Sequence, residues 1–179
     1  MSTTCSICRE TMLVGDPGAL EGPRFSLCGD CRRSFEAGSS ARRSSSLSAL
    51  LERYADPVMV VDASGRLLAC NHLAEGAVGR PIASLLGLQP GEVLECKHAA
   101  EGAGCGKTEH CGACAVRLAL NYTLAHGRGC EHMPATLECT YRGKPAVRRF
   151  TLSTQKIGDL VRILLEDDGY LPVQVGTAS

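Results

Sequence analysis

The cysteines constrain this chain more than any other feature, because there are 11 in 179 residues and most fall into two groups of four. An odd total means that the cysteines cannot all pair with one another. No secretory leader follows Met1, and no apolar run in the sequence is long enough to cross a membrane. We therefore expect a cytoplasmic protein with reduced thiols, in which clustered cysteines bind a metal or carry out redox chemistry.

The first group has the spacing of a structural zinc site. It consists of two Cys-x-x-Cys pairs, namely Cys5, Cys8, Cys28 and Cys31. Each pair is typical of a tight turn that directs two thiolates to one point, and two such turns complete the tetrahedron that Zn²⁺ prefers. Residues 1–38 resemble a treble-clef or zinc-ribbon finger and contain too little apolar mass to fold without a metal. An iron–sulfur or redox site, or four unrelated thiols, are the alternatives.

Residues 39–46 form a small polar linker of serine and arginine. After it, an apolar stripe at helical spacing follows Ser46 as N-cap and consists of Leu47, Leu50, Leu51 and Tyr54. The stripe either mediates self-association as a homodimer or packs on the chain's own sheet. Arginines near the linker could contact nucleic acid, but acidic neighbours and a formal net charge of zero weaken that interpretation.

The remaining sequence predicts an α+β domain. Five strands are expected, at Val58–Val61, Arg66–Ala69, Ala135–Tyr141, Ala146–Ser153 and Asp159–Glu166. Helices are expected at His72–Val78, Ile82–Leu86 and Cys111–His126, the last with Leu118 and Tyr122 on the same face as its cysteines. Short turns between the strands, such as Arg142–Lys144 between the third and the fourth, favour antiparallel pairing. A five-stranded antiparallel sheet with helices on one face would bury these stripes, and its core must be aliphatic because aromatic residues are only 4% of the chain.

Two sequence stretches carry a resemblance to the PAS domain family. They read DPVMVVDASGRLLACNHLAEGAVGR, in which Asn71 would open the first short helix, and RFTLSTQKIGDLVRILLEDD. The stretch GEVLECKHAAEGAGCGKTEHCGACAVR resembles a cysteine-rich variant of bacterial sensory PAS domains. The resemblance runs from about Tyr54 to Asp168 and implies a PAS-like sensory domain, which with its flanking helix covers residues 47–168. Residues 169–179 are expected to form a flexible tail. It also implies signal transduction through a protein partner rather than catalysis.

The second cysteine group lies inside this domain and comprises Cys96, Cys105, Cys111 and Cys114. Cys111 and Cys114 are expected at positions i and i+3 of a helix start, where both thiols point the same way. Four thiolates suit either Zn²⁺ or a 4Fe–4S cluster, and His98 or His110 could replace one of them. Buried or redox-active thiols are the alternative. Cys70, Cys130 and Cys139 are expected to be core or strand thiols that behave as small apolar groups.

These features favour a cytoplasmic sensor that detects redox state, oxygen or metal through the second cysteine group. Oxidation or metal loss would release the loop that carries Cys96 and Cys105 and would shift the following helix on the sheet. The alternative is a zinc-stapled structural adaptor, or a module similar to a transcription regulator, that binds a protein or nucleic acid. We do not expect an enzyme, because no Ser/His/Asp set and no paired acid and base carboxylates appear in the sequence.

Overall fold

The computed structural model describes residues 2–4, 11–13, 20–21, 26–27, 47–102 and 104–172, with side chains described in the domain from residue 47 to 166. In the N-terminal segment, β1 (Ser2–Thr4) pairs antiparallel with β2 (Thr11–Leu13), and β3 (Leu20–Glu21) pairs antiparallel with β4 (Ser26–Leu27). The predicted zinc ligands and the Ser/Arg linker lie outside the described residues. They comprise Cys5, Cys8, Cys28, Cys31 and residues 39–46.

The main domain is built on a five-stranded antiparallel sheet in the order β6-β5-β9-β8-β7. Its strands are β5 (Val58–Val61), β6 (Leu67–Cys70), β7 (Met133–Tyr141), β8 (Lys144–Ile157) and β9 (Leu160–Pro172). The prediction of a five-stranded antiparallel sheet is confirmed. The last strand runs further than expected, so residues 169–172, predicted as tail, belong to the sheet.

Short helices and turns fill the connection between β6 and β7. This connection contains α2 (His72–Val78), α3 (Pro90–Val93), α4 (Lys97–Glu101) and α5 (Ala115–His126), with 3-10 turns at Ile82–Ser84 and Glu109–Gly112, whereas α1 (47–51) precedes the sheet. Of these, α5 packs across β7, β8 and β9. Its buried side chains share an aliphatic core with the inner face of the sheet, as the composition predicts.

The outer face of the sheet is covered by α1, which corrects the expectation that helices lie on one face only. Val58 and Val60 alternate with Met59 and Val61 along β5, so the two pairs point to opposite sides of the sheet. The outward pair packs against the apolar side chains of the α1 segment, Leu47, Leu51 and Tyr54, all less than 9% exposed. Of the two roles left open for this stripe, packing on the chain's own sheet is therefore the one observed.

Asn71 joins the first two strands to the first helix of the connection. Its side-chain oxygen accepts hydrogen bonds from the Ala74 amide at 3.0 Å and the Val58 amide at 3.1 Å. Its side-chain nitrogen donates to the Asp56 carbonyl at 2.9 Å. The first bond caps α2, and the other two fix the start of β5. The expected role of Asn71 in opening this helix is confirmed.

Candidate cysteine site

The chain around Cys111 and Cys114 differs from the predicted helix. Residues Glu109–Gly112 form a 3-10 turn, and α5 begins only at Ala115, with Cys114 as its N-cap. The Cys114 amide donates to the carbonyl oxygen of Cys111, three residues back, at 3.4 Å, and the backbone of Cys114 is extended. The prediction that the two thiols share an α-helical face is wrong, because the turn ahead of α5 winds more tightly than an α-helix.

The buried face of α5 also differs from the expected one. Val116, Ala119 and Leu120 point into the core, whereas Leu118 and Tyr122 are 48% and 44% exposed. The sequence of this helix carries apolar residues around most of its circumference. Once the helix begins at Ala115, contact with the sheet selects the face.

All four cysteines of the second group nevertheless line one cavity of about 290 Å³. The cavity lies between the connecting segment and β7, and its wall consists of Cys96, Cys105, Cys111 and Cys114 with His98, His110, Arg117 and others. Over the residues that the structure describes, no three Cys, His, Asp or Glu side chains stand in position to hold a metal ion. The metal therefore stays a prediction, while the shared cavity is observed.

Cys96 and Cys105 are neighbours across Gly91. A Cβ built on Gly91 would lie 2.7 Å from the Cys105 sulfur and 3.5 Å from the Cys96 Cβ, so a side chain at this position would collide with the thiol. The Cys96 amide donates to the Gly91 carbonyl at 2.7 Å. The lack of a side chain at Gly91 is thus what lets the two cysteines approach α3 together.

Cys111 is surrounded by groups that stabilise a thiolate. Its sulfur accepts the Gly106 amide at 3.2 Å and lies 3.2 Å from the Thr108 hydroxyl oxygen. Chiefly through the Thr108 hydroxyl, and further through backbone amides and the nearby Arg117 guanidinium, these contacts lower the pKa of the Cys111 thiol. The Arg117 guanidinium packs so closely on Gly106 that a Cβ there would lie 2.1 Å from its Nη1.

Cys105 shows the opposite behaviour in the same cavity. Burial raises the pKa of the Cys105 thiol, a hydrogen bond with the Gly91 backbone partly offsets that rise, and negative charge on Cys111 or Cys114 would raise it further. Cys111 and Cys114 are therefore close enough to Cys105 to influence its ionisation. The positive charge of Arg117 acts to lower the pKa of both the Cys105 and the Cys111 thiol, and at Cys105 it opposes the rise that burial causes.

The two histidines considered as substitute ligands stack on each other at the cavity. The His98 and His110 ring centroids lie 3.8 Å apart with an interplanar angle of 21°. The sequence did not predict this stack or the position of Arg117. Arg117 follows Cys114 by three residues, and that proximity was the one available signal for it.

The remaining described cysteines are strand or core thiols, as expected. Cys70 in β6 and Cys139 in β7 are each 3% exposed, and half-buried Cys130 packs against the same core. Burial, with the charges of Glu75 and Glu52, raises the pKa of the Cys70 thiol to about 12. Burial likewise raises the pKa of the Cys139 thiol.

No helix within the described ranges combines the length and apolar character needed to span a bilayer. No protein-family model matches the chain, and no curated protein matches it.

A comparison with solved structures finds matches of low sequence identity. One is a domain of a sensory box sensor histidine kinase/response regulator from Geobacter sulfurreducens, with 18% identity, a TM-score of 0.47, and coverage of 72% of this chain and 97% of that one. Another is the PAS domain of an HTR-like protein from Haloarcula marismortui, with 17% identity, a TM-score of 0.40, and coverage of 71% and 98%. Residues 47–172 carry a five-stranded antiparallel sheet with helices packed on it, which is the architecture that the sequence resemblance to PAS domains implies.

Proposed function

We propose that residues 47–172 form a sensory signal-transduction domain whose functional centre is the cysteine site. The observation that carries the proposal is the convergence of Cys96, Cys105, Cys111 and Cys114 on one cavity, where Cys111 and Cys114 are close enough to influence the ionisation of Cys105. Four thiols kept together in a reduced state are reactive toward oxidants and metal ions. In this proposal the protein works in a reducing compartment such as the cytoplasm and has no enzymatic activity.

The donor set suits Zn²⁺ or a 4Fe–4S cluster by its chemistry. Thiolates are the ligands that both groups accept, and the Gly106 amide and the Arg117 guanidinium offset thiolate charge at the cavity. The sulfurs do not yet stand at ligand positions, so binding requires the segment with Gly102, Gly104 and Gly106 to close on the cavity. When bound, zinc would supply a structural crosslink, and a cluster would supply sensitivity to oxygen or redox state.

The segment is coupled to the sheet at the edge strand. The Thr140 amide of β7 donates to the Glu95 carbonyl at 3.0 Å, and the Lys97 ammonium lies 3.2 Å from the Glu138 carboxylate. A change in the position of Cys96 would therefore be felt directly at β7. Since β7 is an edge strand, this coupling offers a route by which a protein partner could read the state of the cysteines.

We also propose a zinc site at the N terminus and self-association of the chain. The spacing of Cys5, Cys8, Cys28 and Cys31 supports a separate structural zinc finger. A homodimer remains part of the proposal. Its interface would have to use a surface other than Leu47, Leu51 and Tyr54, which the sheet covers.

The experiment is a metal analysis and visible spectrum of the full chain, purified without oxygen. Cys111→Ala should remove the metal of the cavity and leave the zinc of the finger, whereas Cys5→Ser should do the reverse. Cys70→Ala is the matched control, because Cys70 is buried in β6 and does not line the cavity. Brown protein would identify a cluster. Wild-type metal content in Cys111→Ala would contradict the proposed site, and colourless zinc that survives oxidants at both sites would favour a stapled adaptor.

A further inference from the structure

Cys139 lies directly opposite Cys96. The two residues form an isolated antiparallel bridge between the start of α4 and β7. The Thr140 amide donates to the Glu95 carbonyl at 3.0 Å, one residue outside the pair on each chain. That bond marks Cys96 and Cys139 as a non-hydrogen-bonded antiparallel pair, the closer of the two kinds of cross-strand neighbours.

The geometry of such a pair suits a disulfide. In non-hydrogen-bonded antiparallel pairs the Cα atoms are about 4.5 Å apart, and the two side chains project from the same face. Disulfides span Cα separations of roughly 4.4–6.8 Å. Cys139 is buried in the inner core and half-buried Cys96 packs against that core, and charge on Cys96 would raise the pKa of Cys139, as expected of thiols in close proximity.

The two thiols differ in access. Cys96 lines the cavity, whereas Cys139 is 3% exposed and is absent from the cavity wall. An oxidant that enters the cavity therefore reaches Cys96 before it can reach Cys139. Among the described residues, Cys96 is the cysteine that lies directly opposite Cys139.

We infer that Cys96 and Cys139 are a peroxide-sensitive disulfide pair that regulates the cysteine site. Hydrogen peroxide oxidises the Cys96 thiolate to a sulfenic acid and releases hydroxide, which is protonated to water. The Cys139 thiol then attacks the Cys96 sulfur and passes its proton to the departing hydroxide, which leaves as a second water as the disulfide forms. The two sulfurs lose two electrons in all, and the peroxide bond is reduced to two waters. A small-molecule thiol reverses the reaction by disulfide exchange.

This inference rests on the proposed function, since it names the event that switches the cavity. With its sulfur bonded to Cys139, Cys96 no longer contributes a thiolate to the group with Cys105, Cys111 and Cys114. The bond also fixes the beginning of α4 to the edge strand. Oxidation would thus lower metal affinity at the cavity and lock the contact between the segment and β7.

The experiment treats the full chain with hydrogen peroxide, alkylates the remaining thiols, cleaves with a glutamate-specific protease and maps crosslinked peptides by mass spectrometry. Cleavage after glutamate leaves Cys96 as the one cysteine in residues 96–101 and Cys139 as the one cysteine in residues 139–166. We expect these two peptides to be joined, at a mass lower by two hydrogens, as the main disulfide of Cys96. Metal analysis before and after oxidation is performed on the same samples.

Two variants separate the inference from a general effect of losing a core thiol. Cys139→Ala should abolish the crosslink and leave the cavity metal more resistant to peroxide, whereas Cys70→Ala, equally buried, should change neither result. Disulfides of Cys96 with Cys105, Cys111 or Cys114 instead would overturn the inference and leave the proposed sensor standing. The Cys96–Cys139 crosslink in a protein whose cavity binds no metal would support the pair and contradict the proposed metal site.

Discussion

The inner face of the sheet and the cysteine segment meet at the same cavity but are held in place by different forces. The sheet contributes fully buried apolar side chains such as Phe150, Leu152 and Ile163. By contrast, neither α4 nor the 3-10 turn at Glu109–Gly112 buries a single residue. Local hydrogen bonds and thiol contacts, rather than apolar burial, position the segment. Segments of this kind open at low free-energy cost, so the cysteines can rearrange while the sheet keeps its shape.

The largest expected effect lies in the sheet. Phe150 is 2% exposed in β8, so Phe150→Ala should lower the free energy of unfolding by about 3–5 kcal/mol through lost burial and the cavity left behind. Urea denaturation of the reduced, metal-free protein measures this loss. Cys111→Ala under the same conditions should cost less than about 1 kcal/mol, as a half-exposed site allows. Similar losses in the two variants would remove the contrast between the regions.

Much of the sheet could be predicted because its strands alternate and its turns carry recognisable residues. Helix α2 was predicted with its observed bounds, since Asn71 caps its start and Gly79, at φ +76°, ends it. The turn between β7 and β8 was also predicted, and Arg142 and Gly143 there both adopt positive φ. In each case the signal lies within a few residues of the element it determines.

The cysteine site was predictable in membership but not in geometry. Clustering in the sequence indicated which cysteines would meet, because a short glycine-rich loop keeps its residues close. Four residues of 3-10 turn before α5 show the same periodicity as a helix start, so the break ahead of Cys114 carried no clear signal. The stack of His98 on His110 depends on how the loop folds over the cavity, and local sequence does not determine that.

An intermediate effect is expected at Gly106. A comparison of two glycines there separates the cost of the backbone conformation from the cost of the contact with Arg117. Gly106→Ala should cost about 1 kcal/mol for its positive φ of 85° and, in addition, push Arg117 off the loop. Gly79→Ala is the matched control, because its φ of 76° is similar and no atom lies within 4 Å of the added Cβ. Urea denaturation of both variants should therefore show a larger loss for Gly106→Ala. Equal losses would mean that the Arg117 contact does not position this loop.

The smallest effect concerns the ionisation of Cys111, and it tests whether local hydrogen bonds govern the segment. Thr108→Val keeps the side-chain shape but removes the hydroxyl contact that is the main cause of the lowered pKa of Cys111. The pKa should rise toward the ordinary value of 9.0, so iodoacetamide should alkylate Cys111 more slowly at neutral pH. Thr136→Val, on the β7 side of the cavity, is the control and should leave the rate unchanged.

The same variant gives a pH dependence of stability whose sign follows from the direction of the shift. A thiol whose pKa is lowered by folding stabilises the folded state fully above its unfolded pKa, and that contribution is lost as pH falls through the folded pKa. The free energy of unfolding of wild type should therefore exceed that of Thr108→Val by more at pH 9 than at pH 6, with both proteins reduced and free of metal. Buried Cys70 should behave in the opposite sense. Because its pKa is raised to about 12, its neutral form favours folding below pH 9, and this advantage disappears as the pH rises through 12. A stability difference between wild type and Thr108→Val that does not change with pH would show that the hydroxyl positions the loop without stabilising the thiolate.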